Sequence, residues 1–513
     1  MNSSYREHWL KAMNIELNIL KENNTWELIP LPEGVRPLKT KWVYKIKNPK
    51  NSSNISDIIF KARFVAKGYE QLYGLEYIET YAAVIKQMAW KLLFALAILN
   101  SWLIYKIDMI SAFTQGIIDS YIYLIQPEGF IDPNNPDYVL RLNKALYGLK
   151  QSARIWYYTI KDKLLKIGFI VLNSDNCIFI NKNTGVIICL YVDDLAIIAP
   201  NSSTINRFIS SIKEYFTIKD LGPIKDYLGI DIDLNSDKGY IKLSQANYIK
   251  KVLAKYSMEN CNPISTPLDS KIKLEPNKEQ ASRDEIKWFQ GIIGSLLYIT
   301  LGTRPDLAYS VIKLARYASN PSNNHIILVK RILRYLKATI DYNIIYNKSS
   351  TRYISGYCDS DYAGDIATAK STLGWIFLIA GSPISWKSKL QTIIAQSTTE
   401  AEYIAINSVS KEAVYIKNLM TELDVYNQAK FPIYTDNQGA LALAQNPVFH
   451  ERTKHIAVKY HYIRSLLEEG VIDLVYINTK DQKADGLTKA LDKIKFRRFL
   501  TQIGLLDLKE ESI

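Results

Sequence analysis

Apolar residues fall into short runs separated by Pro, Gly and Asn, and their spacing changes several times along the chain. Residues 1–22 carry Trp9, Met13, Leu17 and Leu20 at helical spacing, which predicts an amphipathic helix. TWELIPLPEGVRPL (25–38) has the Pro and Gly punctuation of a strand followed by turns. KWVYKIK (41–47) and IIFKARFVAKGYE (58–70) are basic strands that form a hairpin around the polar loop 48–57. WKLLFALAILN (90–100) is a buried helix, WLIYKID (102–108) a strand, and ISAFTQGII (110–118) a further helix-like stretch. NKALYGLKQSARIWYYTIKDKLLKIGF (143–169) is a loop leading into a long helix. CIFI, VIICL and LAIIA (177–199) are apolar on both faces, as central strands of a covered sheet must be. Helix and strand alternate over 205–260, a polar linker covers 265–287, and 288–345 is helical, including the basic stretch HIILVKRILRYLKATI. Beyond residue 350 come the strands ISGYCDSD, GWIFLIAG and SPISWKSK, and the long helix TTEAEYIAINSVSKEAVYIKNLMTEL. FPIYTDN and VIDLVYINTKDQKADGLTKAL end the sequence pattern of a self-contained α/β domain of about 140 residues.

Composition narrows the class. The chain has 513 residues, 48% hydrophobic and 22% charged, which fits about three globular domains. Cys177, Cys189, Cys261 and Cys358 include no C-x-x-C pair, so a disulfide scaffold or a Cys-rich zinc site is not expected and reduced thiols are. The longest apolar stretch, Val186–Ala199, contains Asp193 and Asp194 and is read as a buried element, so no membrane partner is expected. MNSSYREHWLKAM lacks the apolar region of a secretory signal. The net charge of +13 favours a polyanionic partner, most simply nucleic acid. The 35 tyrosines suit base stacking, and equally a biased base composition.

Acidic residues supply the candidate chemistry. Asp193 and Asp194 sit at a turn between two apolar strands, and Asp108 ends another. Carboxylates gathered in this way repel one another unless a cation neutralises them, and oxygen ligands suit Mg²⁺. A pair of ions can then stabilise the attacking and leaving oxygens of a phosphoryl transfer. An isolated Asp-Asp turn is usually just solvated; the apolar flanks argue otherwise here. In the last third, Asp359 and Asp436 follow strands, Glu400 opens the long helix and Asp485 begins the last one. Taken singly, Asp436 and Asp485 are ordinary helix caps, and Glu400 is favoured by the helix dipole.

The motifs TWELIPLP, KWVYKIK, KARFVAKGYEQ, YKIDMISAFTQG, IYLIQPEGF, LYGLKQSARIW, YVDD, IKDLGPIKDYLGI and GSLLYITLGTRPDLAY resemble, in this order, the reverse transcriptase of copia-type LTR retrotransposons (Pseudoviridae). GYCDSDYAGD, STTEAEYIA, YTDNQGALALA and DQKADGLTK resemble the ribonuclease H region of the same Pol polyproteins. The resemblance spans roughly residues 7–492. It implies an α+β and α/β multidomain chain, a right-hand polymerase of fingers, palm and thumb followed by a ribonuclease H-like domain. The corresponding boundaries are an N-terminal helix (1–22), fingers and palm (23–266), a helical thumb or connection (267–350), the nuclease (351–492) and a C-terminal tail (493–513). Loop 48–57 becomes a mobile fingertip.

By the same resemblance, Asp108, Asp193 and Asp194 are the polymerase carboxylates, Asp108 and Asp193 being metal ligands and Asp194 a supporting acid. Asp359, Glu400, Asp436 and Asp485 are the nuclease ligands, with two Mg²⁺ (or Mn²⁺) ions in each site. Phe113 falls at the steric gate that excludes a 2′-OH, although by periodicity alone it is a core aromatic. Lys61 and Arg63 are candidates for gripping the triphosphate, and Tyr147 and Gln151 for lining the nucleotide site. Lys150 and Arg154 are candidates for tracking the nucleic-acid backbone. The implied partners are an RNA template, a DNA primer, RNA–DNA hybrid and dNTPs, together with the integrase and capsid of the parent element. The implied location is cytoplasmic virus-like particles, with nuclear entry.

Departures are few. Ala83 and Ala153 stand where prolines are expected, and the loop before Asp485 has no His. His450, His455 and His461 cluster without a nearby Cys, which favours nucleic-acid contact or packing over zinc. The rival reading is a catalytically silent relic or a repurposed nucleic-acid binder.

Overall fold

The computed structural model describes residues 5–47, 58–272, 274–424, 428, 430–445 and 457–505. The expected fingertip (48–57), His450 and His455 lie outside the described residues, while His461 is exposed on helix Ala457–Glu468.

Helix Arg6–Glu22 buries Met13, Leu17 and Leu20, the stripe its spacing predicts, with its N-terminal half against strand Ile59–Ala66. That strand pairs antiparallel with Thr40–Lys47, so Lys61 lies opposite Lys45 and Arg63 opposite Val43. A three-stranded sheet in the order Trp26–Ile29, Val139–Leu142, Tyr123–Ile125 supports the hairpin. The central sheet has six antiparallel strands in the order Ile218–Pro223, Leu103–Met109, Asp194–Ala199, Val186–Tyr191, Ile178–Asn181, Ile170–Val171. Its inner strands are buried on both faces, as their unbroken apolar runs require. The stretch ISAFTQGII is not a helix beyond the single 3-10 turn Ala112–Gln115. At Gly116 the chain turns extended (φ −92°, ψ 139°), and a Cβ there would lie 2.4 Å from Ile155 Cγ2, so this close approach to the neighbouring helix requires a glycine.

Linker 265–287 is tied down. Leu268 and Leu274 are buried, and the basic helix Asn323–Ala338 turns cations onto the start of the linker and the residues just before it. Arg334 Nε donates to Asn262 O (2.7 Å), Arg331 Nη2 to Thr266 Oγ1 (3.0 Å), and Lys337 to Glu259 O. The last sheet runs Ser382–Leu390, Lys370–Ile379, Ser355–Asp365, Phe431–Thr435, Ile472–Tyr476, with its last three strands parallel. Residues 493–502 form a helix with Phe496 and Phe499 buried, in place of the expected tail.

The nuclease-like region is not self-contained either. One continuous apolar core runs from the palm sheet through the helical connection into the last sheet. Its centre is helix Gln87–Leu99, buried from Met88 to Leu99 because it is apolar on every side. Its exception is Lys91, whose Nζ donates to Leu301 O (2.8 Å) and lies 4.0 Å from the centre of the Trp386 ring. Trp386, from the last sheet, donates to Thr300 O (3.0 Å). Burial without a carboxylate partner holds the Lys91 pKa well below the usual lysine range. Farther along the junction, Tyr415 donates to Asp175 Oδ2 (2.9 Å), and Glu422 accepts from the backbone N–H groups of Ser174 (2.9 Å) and Asn173 (2.5 Å).

Arg304 is fully buried, bonded to Asp306 through two nitrogens (2.9 and 2.7 Å) and to Thr339. Tyr335 closes the network on Asp306 (2.6 Å). Arg304→Met leaves the Asp306 charge buried without its cation. It is expected to cost about 3–5 kcal/mol, read as a lower midpoint of urea unfolding, whereas an unchanged midpoint would show the network to be dispensable.

Candidate active sites

The first cluster of acids is built by strand register. Asp194 opens its strand and pairs with both Asp108 and Tyr191, so Val192 and Asp193 form the connecting turn. Val192 has φ +54°, an unusual state for a β-branched residue. Met109 N donates to Asp193 O (3.1 Å), tying the turn to the strand that carries Asp108. Lys106 lies two residues before Asp108, hence on the same face. Its Nζ reaches Asp194 Oδ1 (3.2 Å) and Asp226 Oδ1 (2.7 Å). Asp194 is therefore held by a protein cation. Burial raises the Asp108 pKa, and the charges of Asp193 and Asp194 raise it further against the opposing pull of Lys106 and Lys61. Asp194 is raised by burial, with Lys106 opposing. A partly buried acid whose pKa is raised further by neighbouring carboxylates, as Asp108 is, suits a divalent cation.

Aromatic and basic groups surround this turn. Phe113 follows Ser111, whose φ is +53°, and its ring meets Tyr147 edge-on at 4.9 Å. The Arg63 guanidinium lies 4.6 Å from the centre of the Tyr147 ring. Ala66 N donates to Tyr147 O (2.9 Å). Gly148 (φ +95°) makes this approach feasible, since a Cβ there would come within 2.1 Å of Ala66 O. Lys61, Arg63, Phe113 and Tyr147 therefore gather around Asp108 and Asp193.

Three sequence-named residues do not stand free in this cleft. Gln151 is fully buried: Gln71 Nε2 donates to its Oε1 (3.0 Å), and its own Nε2 donates to Glu76 O (2.8 Å). It braces the loop and does not line the nucleotide site, because its amide is already saturated by buried partners. Arg154 is paired with Glu79 (2.9 Å) and Asp119 (3.6 Å), so its charge is neutralised locally. Lys150 remains exposed, but its Nζ donates to Tyr77 OH (2.9 Å). Arg154 and Tyr77 also line a cavity of about 970 Å³, to which none of the seven sequence-named carboxylates contributes.

The second cluster sits on the central strand of the last sheet. Parallel pairing of Tyr357 with Tyr434 brings Asp359 beside Asp436. The structure corrects the third acid from Glu400 to Glu402. Ser397 caps helix Thr398–Leu423 by accepting from Glu400 N (3.1 Å), and the Glu400 carboxylate turns back to accept from Gln396 N (2.7 Å). Two residues further, about 200° around the helix, Glu402 faces the sheet. Asp359, Glu402 and Asp436 present carboxylate oxygens within 4.8 Å of one another. A signal was present in the sequence: Glu402 continues the stripe Ile406, Val409, Ala413, Ile416, Met420 at alternating spacings of four and three, all buried.

Asp485 joins this cluster through Lys489, whose Nζ lies 3.0 Å from Asp485 and 3.7 Å from Asp359. Thr488 Oγ1 donates to Asp359. Burial, then Asp359 and Asp436, holds the Glu402 pKa far above the usual carboxylate range. Asp436 is raised by burial and Asp359. Glu402 Oε2 is buried with no hydrogen-bond donor among the described residues, as suits an oxygen that could ligate a cation.

Asp485 has its pKa pushed up to about 6, by burial first and the Asp359 charge next. The folded protein thus holds a proton between about pH 4 and pH 6 that the unfolded chain has released, and this group's contribution to stability falls as pH rises through that window. In EDTA, Asp485→Asn is expected to raise Tm at pH 7 and to flatten the decline between pH 4 and 6. An unchanged thermal profile would show that Asp485 carries no such penalty.

Residues 23–270 match the family model described as reverse transcriptase (RNA-dependent DNA polymerase). The chain is 38% identical to the Pol polyprotein from transposon RE2 of Arabidopsis thaliana over 98% of this chain and 34% of that protein. It is 36% identical to that from transposon TNT 1-94 of Nicotiana tabacum over 97% of this chain and 38% of that protein. It thus spans about a third of the length of these relatives. A putative Ty5-1 transposon protein of Saccharomyces cerevisiae is 33% identical over 60% of this chain and 99% of that protein. A foamy viral protease–reverse transcriptase solved with double-stranded DNA shares the fold at a TM-score of 0.50 and 12% identity, covering 92% of this chain and 70% of that one. The chain belongs to the Pol polyproteins of copia-type LTR retrotransposons.

Proposed function

We propose that this chain is an RNA-directed DNA polymerase that also degrades the RNA strand of an RNA–DNA hybrid. The observation that carries the polymerase reading is the pairing of Asp108 with the YVDD turn at the end of a buried sheet, beside Arg63, Phe113 and Tyr147. Asp108 and Asp193 would hold the divalent ions, Mg²⁺ or Mn²⁺, while Lys106 keeps Asp194 as a supporting acid. Bound there, the ions would stabilise the charge that develops on the phosphoryl group during transfer. Phe113, packed against Tyr147, closes off space where a ribose 2′-OH would sit. Lys61 and Arg63 offer positive charge to a triphosphate, and Arg63 is already oriented by the Tyr147 ring. In the nuclease, Asp359, Glu402, Asp436 and Asp485 would hold the ions, and Lys489 limits repulsion among the acids when no ion is bound. The substrates on this reading are template RNA, DNA primer, dNTPs and the hybrid product.

Primer extension on poly(A)/oligo(dT) with Mg²⁺ or Mn²⁺ tests the proposal. Incorporation of dTMP is expected; none by folded, hybrid-binding protein would sink the polymerase reading. Asp193→Asn should abolish synthesis and leave hybrid cleavage intact. Glu402→Gln should abolish cleavage and leave synthesis intact. Glu400→Gln should retain cleavage, since the Glu400 carboxylate is turned back onto Gln396 N; if Glu400→Gln is the inactive variant and Glu402→Gln is not, the ligand assignment is wrong.

A further inference from the structure

The YVDD turn is held in a backbone state that its own residue disfavours. Val192 has φ +54°, where glycine or asparagine is the usual occupant and a β-branched side chain crowds the backbone. Such a conformation persists only where the surroundings fix it. One restraint comes from the strand bearing Asp108, through Met109 N to Asp193 O (3.1 Å). A second comes from helix Ser152–Lys166, where Trp156 Nε1–H donates to Val192 O at 2.6 Å.

The Trp156 indole has little freedom to do otherwise. It is 1% exposed, and its ring meets Phe216 edge-on at 5.3 Å. Phe216 precedes the strand that pairs Ile218 with Met109, and the next residue, Thr217, accepts from Ile110 N (3.1 Å). The indole is therefore wedged between the turn carrying Asp193 and the segment clamped to the Asp108 strand. A buried indole N–H needs some acceptor. Here the acceptor is the carbonyl of the one strained residue in the turn.

We propose that Trp156 is a positioning residue for the polymerase centre: its indole N–H holds the Val192 carbonyl and so fixes the strained turn that presents Asp193. This rests on the polymerase reading of that turn. Trp156 touches neither nucleotide nor metal on this account; it acts through Val192. The hydrogen bond keeps the Asp193 carboxylate aimed at the end of the Asp108 strand when no ion is present to gather the acids.

Trp156→Phe keeps an aromatic ring against Phe216 and removes the donor. In the full chain, amide hydrogen exchange in the 188–196 segment should rise about tenfold, the scale of one lost buried hydrogen bond, while the remaining strands of the palm sheet keep their protection. In primer extension, kcat for dTMP incorporation should fall about tenfold while KM for dTTP and hybrid affinity stay within about twofold, and a higher Mg²⁺ concentration should be needed for half-maximal rate. Adding Val192→Gly, which relieves the strained φ, should restore much of the lost rate. Unchanged exchange at 188–196 in Trp156→Phe would overturn the proposal. So would a uniform rise across the sheet, which would mark Trp156 as a general core residue. If the unsubstituted chain incorporates no dTMP, the polymerase reading fails, and the exchange experiment still decides whether Trp156 holds the turn.

Discussion

Carboxylates drawn together out of water repel one another, and both candidate centres are built around that repulsion. In each, a lysine in direct contact with the acids partly offsets it. Lys106 reaches Asp194 and Asp226 from the strand that carries Asp108. Lys489 stands between Asp485 and Asp359. Burial, and then the neighbouring carboxylate charge that neither lysine fully neutralises, raises the pKa values of Asp108, Glu402, Asp436 and Asp485. Acids in this state favour a divalent cation beside them.

Around these centres the backbone is held by close contacts that short or apolar side chains permit. Gly148 lets the fingers hairpin reach the loop carrying Tyr147, and Gly116 lets the turn carrying Phe113 lie against the long palm helix. Those two glycines set where the aromatic pair Phe113–Tyr147 stands relative to the YVDD turn. The cations that remain near the acids, Lys61 and Arg63, belong to the hairpin; those of helix Asn323–Ala338 are partly occupied with the preceding segment.

The palm strands were legible because the runs ending in Asp108 and flanking Asp193 are apolar on both faces, a pattern few surface strands show. The motif order made the two-part architecture legible as well. What escaped depended on contacts between distant segments. Glu400 and Glu402 are both buried, so burial alone could not separate them, and only the phase of the stripe through Ile406 and Val409 does. Gln151 and Arg154 look like cleft residues in LYGLKQSARIW, yet their partners Gln71, Glu76, Glu79 and Asp119 come from loops far away in sequence. Residues 493–502 read as a tail because Phe496 and Phe499 find their partners elsewhere: Phe496 against Tyr335 and Phe499 against Gly486.

The shared core changes what a substitution in either half means. Helix Gln87–Leu99 is wrapped by the palm sheet, the helical connection and the last sheet, with Lys91 lodged between Leu301 and Trp386. The smaller apolar clusters around Phe64 and Met13 stand apart from this core, but the sheet bearing Asp108 and the last sheet both belong to it. A cavity opened under Trp386 would therefore be felt on both sides of the junction, loosening the helix that underlies the Asp108 strand along with the last sheet.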